Sequence, residues 1–147
     1  MYTILQHAHS GLRWIVLLVL IVIIANAIAG LSQNRAFSVK DGKLVSAGTG
    51  IVHLQFLLGL ILFFVSPRVQ FSSETMSNGL LRFFTVEHTV MMLIAVALVT
   101  IGSRKSRKAV SDKGRFSNIL WWFLAGLVIM LAAIPWPFRE SLGGSWF

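Results

Sequence analysis

Residues able to do chemistry are few in this chain, and they sit where apolar runs begin. Glu87 and His88 stand side by side at the mouth of the run Thr85-Val-Glu-His-Thr-Val-Met-Met-Leu93. Gln6, His7, His9 and Arg13 precede or enter the run from Leu12 to Leu31, Asn26 lies inside it, and His53 and Gln55 open a further run. An unpaired ionisable group within a bilayer costs at least ~2.5 kcal/mol, so such groups are expected to have partners and a purpose.

Gln6, His9 and Arg13 follow one another at helical spacing and share a face. His7 is two residues from His9 and points elsewhere, so the His-x-His pattern is a weak metal signal. His88 shares its face with Met91, Met92 and Ala95. An imidazole from each of two diagonal helices, at one depth, is the arrangement that an axial histidine pair on a b-type haem needs. Glu87 or Gln6 is a suitable hydrogen-bond partner for a ligand's other ring nitrogen. Glu87 is the one acid read within a span and Arg13 the one base placed deep in one. The sequence therefore predicts an Arg13–Glu87 pair, which at 4 Å and an effective dielectric of about 20 gains roughly 4 kcal/mol before desolvation. His53 and Gln55 fall nearer the other membrane face, at the depth of Asn26. There His53 either bonds Asn26 across two helices, worth about 0.6 kcal/mol, or serves as a second cofactor ligand. Three functions fit this set: a polar network that only ties helices together in a subunit or scaffold, a haem b site drawing on His9, His88, His7 and His53, and a transition-metal or quinone site.

The elements that position these residues follow from composition. Of 147 residues, 56% are hydrophobic and 12% charged, with mean hydropathy +0.78; a soluble domain has roughly a quarter charged residues. All-α architecture follows, as one integral membrane domain over residues 1–147, a four-helix bundle with spans at about 5–31, 47–66, 83–102 and 117–135. Pro67 and Pro135 end the second and fourth spans. The first span has a signal peptide as its rival, but lacks an early cluster of positive charge and is taken as a retained helix. Asp41-Gly42 within an alternating stretch carries a β-hairpin signal. Ala25-x-x-x-Ala29 and Asn26-x-x-x-Gly30 suit close helix packing. Trp121 and Trp122, with Trp136 and Trp146 at the other end, suit interfacial belts.

The formal charge is +8, and nine of the thirteen Lys and Arg lie in the first and third connections. That places those connections in the cytoplasm and both termini on the outer, periplasmic side of a bacterial inner membrane. The six basic residues between Arg104 and Arg115 face anionic lipid head groups rather than nucleic acid. Association with a respiratory or other membrane complex, or with further copies of the chain, stays open. No cysteine is present, which excludes thiolate metal sites and c-type haem attachment. There is no Gly-rich phosphate cradle and no Ser–His–Asp set within the spans, so catalysis by the chain alone is not expected.

Four stretches, HSGLRW, HLQFLLGLILFFVSP, RFFTVEHTVMMLIAVALVTIGSRKSRK and AAIPWPF, resemble a family of small bacterial membrane proteins commonly labelled cytochrome b. The resemblance covers nearly the whole chain. It implies a four-helix inner-membrane protein with b-type haem. Carried over by motif, the site positions are His9 and Arg13, His53 and Gln55, and Glu87 and His88. The evenly spaced intrahelical histidine pairs of large cytochromes b are missing, which argues against two stacked haems.

Overall fold

A computed structural model describes residues 2–142, the side chain of Glu140 excepted. The fold is all-helical. Four helices are long and apolar enough to cross a membrane: α1 (Tyr2–Ser32), α2 (Val39–Val65), α3 (Gly79–Lys108) and α4 (Asp112–Ala133). A short 3₁₀ turn, Glu140–Leu142, follows. The helices pack in the cyclic order α1–α2–α3–α4, so α1 and α3 are diagonal. α1 and α4 bury a larger share of their length than α2 and α3, and the α2–α3 seam is the thinnest of the four.

Every helix is longer than its apolar run, and side-chain caps at Ser38, Asn78 and Ser111 extend α2, α3 and α4 into the connections. α2 begins at Val39, not near residue 47, and the hairpin signal at Asp41-Gly42 is overruled. Ser38 caps this helix: its hydroxyl accepts from the Asp41 amide while the Asp41 carboxylate accepts from the Ser38 amide. That reciprocal box satisfies two donors which a turn would leave to water. Ser111 caps α4 by a single bond, accepting from the Gly114 amide. α2 stops at Val65 ahead of Pro67, and α4 at Ala133 ahead of Pro135, as the prolines demand.

Leu20, Ile23, Ala27, Ala95, Val99, Phe116 and Phe123 form the dry centre. Gly30 lets α1 meet α4: a Cβ there would stand 2.5 Å from the Phe116 ring. Of the expected small-residue pairs, Gly30 is buried while Ala25 is exposed, so α1 uses Ala27 and Gly30 as its tight face. Trp121 is exposed and Trp122 half-buried, with Lys105 Nζ 5.1 Å from the Trp122 ring centroid. Trp136 caps the opposite end, 6.0 Å from Trp14. Trp146 lies outside the described residues.

The basic residues gather where α1 meets α2 and α3 meets α4. There the carboxylate of Asp41, 4% exposed, accepts from Asn26 Nδ2 at 2.8 Å, from both terminal nitrogens of Arg35 at 2.8 and 3.0 Å, and from the Ser38 hydroxyl at 2.6 Å. Arg35, in the connection, is held above its ordinary pKa by the hydrogen bond and charge of Asp41. Asn26 thus belongs to a latch between α1 and α2, and Asp41 is an acid inside the second helix. Arg104, Lys105, Arg107, Lys108 and Lys113 are exposed around it, with Arg115 half-buried.

Candidate functional site

At the other end of the bundle a cavity of about 390 Å³ runs inward between the helices. Its volume falls within the range of about 300–1,000 Å³ usual for small-molecule sites. The wall is mostly apolar, drawn from Leu17, Val52, Phe56, Met92, Val96 and Met130 among others. Its polar members are concentrated: Tyr2, Gln6, His9, Ser10 and Arg13 from α1, Gln55 from α2, Ser66 and Arg68 just beyond α2, and His88 and Thr89 from α3. The cavity reaches the thin α2–α3 seam, where Leu60 and Leu93 are exposed on the outer surface of the bundle.

His9 and His88 face each other across this space from diagonal helices, with ring centroids 6.5 Å apart and planes at 76°. Each ring has one nitrogen near a protein group. His88 Nδ1 lies 2.8 Å from the main-chain carbonyl oxygen of Ala133, at the end of α4. A carbonyl can only accept, so Nδ1 carries the proton and Nε2 is left as the bare, basic nitrogen. His9 Nε2 lies 3.4 Å from Gln55 Nε2, and the same amide donates to the His9 carbonyl at 2.9 Å. His9 Nδ1 is buried and, among the described residues, has no hydrogen-bond partner; nor does Gln55 Oε1. Two imidazoles from diagonal helices thus converge on one cavity.

Two local features place the rings. On α2, Gly59 lies flat against His9: a Cβ there would stand 3.0 Å from the His9 Cε1 atom and 3.6 Å from Nδ1. On α3, residues Phe83–Glu87 form a π-turn, which closes with the His88 amide donating to the Phe83 carbonyl. Such a turn adds one residue to the helical repeat and resets the face on which the following residues lie. His88 is thereby directed into the bundle, between Phe83 and Phe84, whose ring centroids are 5.8 and 6.3 Å from its own. Thr85, buried in the same turn, accepts from the Gln70 amide and ties the loop 66–78 to α3.

The expected Arg13–Glu87 pair is not formed. Glu87 Oε1 accepts from Arg82 Nε at 2.7 Å, and both side chains are 42% exposed. The π-turn is the reason: residues five apart come into line on its wider repeat, so Glu87 is presented to Arg82 and not to the bundle interior. Arg13 is buried, lines the cavity and has its guanidinium 5.3 Å from the Trp14 ring centroid. Glu87 is therefore not the hydrogen-bond partner of His88; the Ala133 carbonyl is. Gln6 lines the cavity as the helical stripe predicts, while His7 is exposed on the opposite face of α1. His53 does not bond Asn26. Its Nε2 is 2.9 Å from the Thr100 hydroxyl of α3, about 18 Å along that helix from His88. Asn26 is occupied by the Asp41 latch. His53 is thus a helix-to-helix tie. Among the described residues, no group of three or more His, Asp or Glu side chains is placed to hold a metal ion.

Gly59, Arg68 and the Ala133 carbonyl carry no signal that singles them out in the sequence, save that an isolated glycine within an apolar helix marks a close approach. The chain matches no family model, no curated protein and no solved structure.

Proposed function

We propose that the chain is a multi-pass protein of a bacterial inner membrane which binds one b-type haem between His9 and His88 for electron transfer. The observation that carries this reading is the relation of the two imidazoles across the cavity. Metal–imidazole bonds are about 2 Å, so two rings sharing one ion have centres roughly 6 Å apart; the 6.5 Å found is of that size. A porphyrin brings its own in-plane donors and asks the protein only for axial ligands. A pair of histidines without a third metal-binding side chain suits it better than a bare ion. The His88 Nδ1–Ala133 bond sets the tautomer that a ligand needs, as outer partners of metal-bound histidines commonly do. Bound there, a haem would supply one-electron redox chemistry. The protein would hold its plane through His9 and His88, keep water away with Phe56, Met92 and Val96, and give the edge beside His9 its room through Gly59.

In this reading both termini lie on the outer side. The cavity occupies the outer half of the bundle, and the exposed basic residues between Arg104 and Arg115 rest on anionic head groups of the inner leaflet. The second reading is a scaffold or accessory subunit of a membrane complex, favoured by the structural ties His53–Thr100 and Asn26–Asp41. Haemin titration of the purified protein separates the two. The haem reading expects uptake with a low-spin, six-coordinate spectrum in the wild type, and loss of that spectrum in His9→Ala and in His88→Ala. A wild type that takes up no haemin leaves the scaffold.

A further inference from the structure

The cavity is polarised along the bundle axis. Tyr2, Ser66 and Arg68 line its end at the start of α1 and the close of α2, and beyond His9 and Arg13 its wall is apolar. No acidic side chain among the described residues lines it. Arg68 follows the helix-ending Pro67, and its amide donates to the Ser66 hydroxyl at 3.2 Å. Its guanidinium lies 5.2 Å from the ring centroid of Phe84, and that ring in turn neighbours His88. Arg68 thus stands one aromatic ring away from the candidate ligand. It is half-buried, and it forms no ion pair with any described acid: Glu87 is taken by Arg82 and Asp41 by Arg35.

We propose that Arg68 binds a carboxylate of the group held in the cavity, making the outer end an anion site. This deepens the haem reading and rests on it. Arginine suits the role because its planar fork matches a carboxylate and, stacked on an aromatic ring, is already oriented before the anion arrives. The polarity of the wall then fixes which way an amphiphilic macrocycle enters, with its acidic edge outward beside Arg68 and its apolar edge toward Val52 and Val96.

The test compares haemin with its dimethyl ester, which keeps the macrocycle and iron but has no free carboxylate. Both are titrated into the full-length wild type, Arg68→Gln and Arg68→Lys in detergent, followed by absorption spectroscopy and by thermal unfolding. The wild type is expected to bind haemin about tenfold to a hundredfold more tightly than the ester, the span of a charge-assisted hydrogen bond. Arg68→Gln should lose that preference while binding the ester as the wild type does, with an unchanged low-spin spectrum. Arg68→Lys should retain part of it. Equal affinity of the wild type for both compounds overturns the anion site while leaving the haem reading intact, as does an Arg68→Gln variant that weakens both alike. A wild type that gives a low-spin spectrum with neither compound overturns both.

Discussion

The ring of His88 on α3 is anchored by the main-chain carbonyl of Ala133 at the end of α4, 2.8 Å from Nδ1. One bond therefore fixes the tautomer of a candidate ligand and joins two neighbouring helices at the same time. Replacing His88 with Ala leaves a carbonyl at a helix end without its donor. The expected loss is about 1–3 kcal/mol of stability, the cost of an unsatisfied buried group. His7→Ala, on the exposed face of α1, should change neither stability nor any cofactor spectrum. Thermal unfolding of the two variants in detergent checks this. Equal behaviour would mean that the Ala133 bond carries no weight.

Glu87 and Arg13 should behave independently. Because Glu87 meets Arg82 with both groups 42% exposed, Glu87→Gln and Arg82→Gln should each cost no more than about 1 kcal/mol. The Glu87→Gln, Arg13→Gln double mutant should show additive losses to within about 0.5 kcal/mol. A coupling well above that between positions 13 and 87 would restore the pair that the sequence alone suggests.

The bundle was legible from the sequence because apolar run length and prolines decide where a span lies. Pro67 and Pro135 end α2 and α4, and the stripe Gln6–His9–Arg13 does face one cavity. The diagonal placement of His9 and His88 also follows from four short-looped helices. What was not legible is local and non-periodic. The alternation around Asp41-Gly42 imitates a hairpin, and only the reciprocal Ser38–Asp41 cap, set against the packing of α2 on α1, turns it into helix. The π-turn at Phe83–Glu87 has no propensity signature, yet it decides that His88 points inward and Glu87 outward. The partner of His88 is a backbone carbonyl, which no side-chain pattern can announce. His53 illustrates the reverse case: the expected inter-helix tie exists, but Asp41 claims Asn26 and leaves His53 to Thr100.

Gly59 and Gly50 on α2 provide a matched pair. A Cβ at position 59 would crowd the His9 ring at 3.0 Å, whereas one at position 50 would meet nothing within 4 Å. Gly50→Ala should stabilise the helix by up to about 1 kcal/mol, from propensity alone. Gly59→Ala gains the same propensity but displaces His9. It should lower haemin affinity at least about tenfold, since a ligand off its productive geometry by a fraction of an ångström is poorly placed. Haemin titration of both variants is the measurement. An unaffected Gly59→Ala would show that His9 is not held by that contact.

The orientation can be read by fusion reporters. With the basic connections inside, a periplasmically active reporter fused after Lys108 should be silent and one fused after Phe147 active. The reverse pattern would move the cavity to the cytoplasmic half and turn its basic end outward.

The most direct measurement of the proposed haem site is the absorption spectrum of the protein purified from its own membranes, recorded oxidised and then reduced with dithionite. A bis-histidine haem between His9 and His88 predicts a coloured preparation. Its Soret band should sharpen and shift to longer wavelength on reduction, with resolved α and β bands, and both features should vanish in His9→Ala and His88→Ala while persisting in His53→Ala. A colourless preparation that also takes up no added haemin would contradict it.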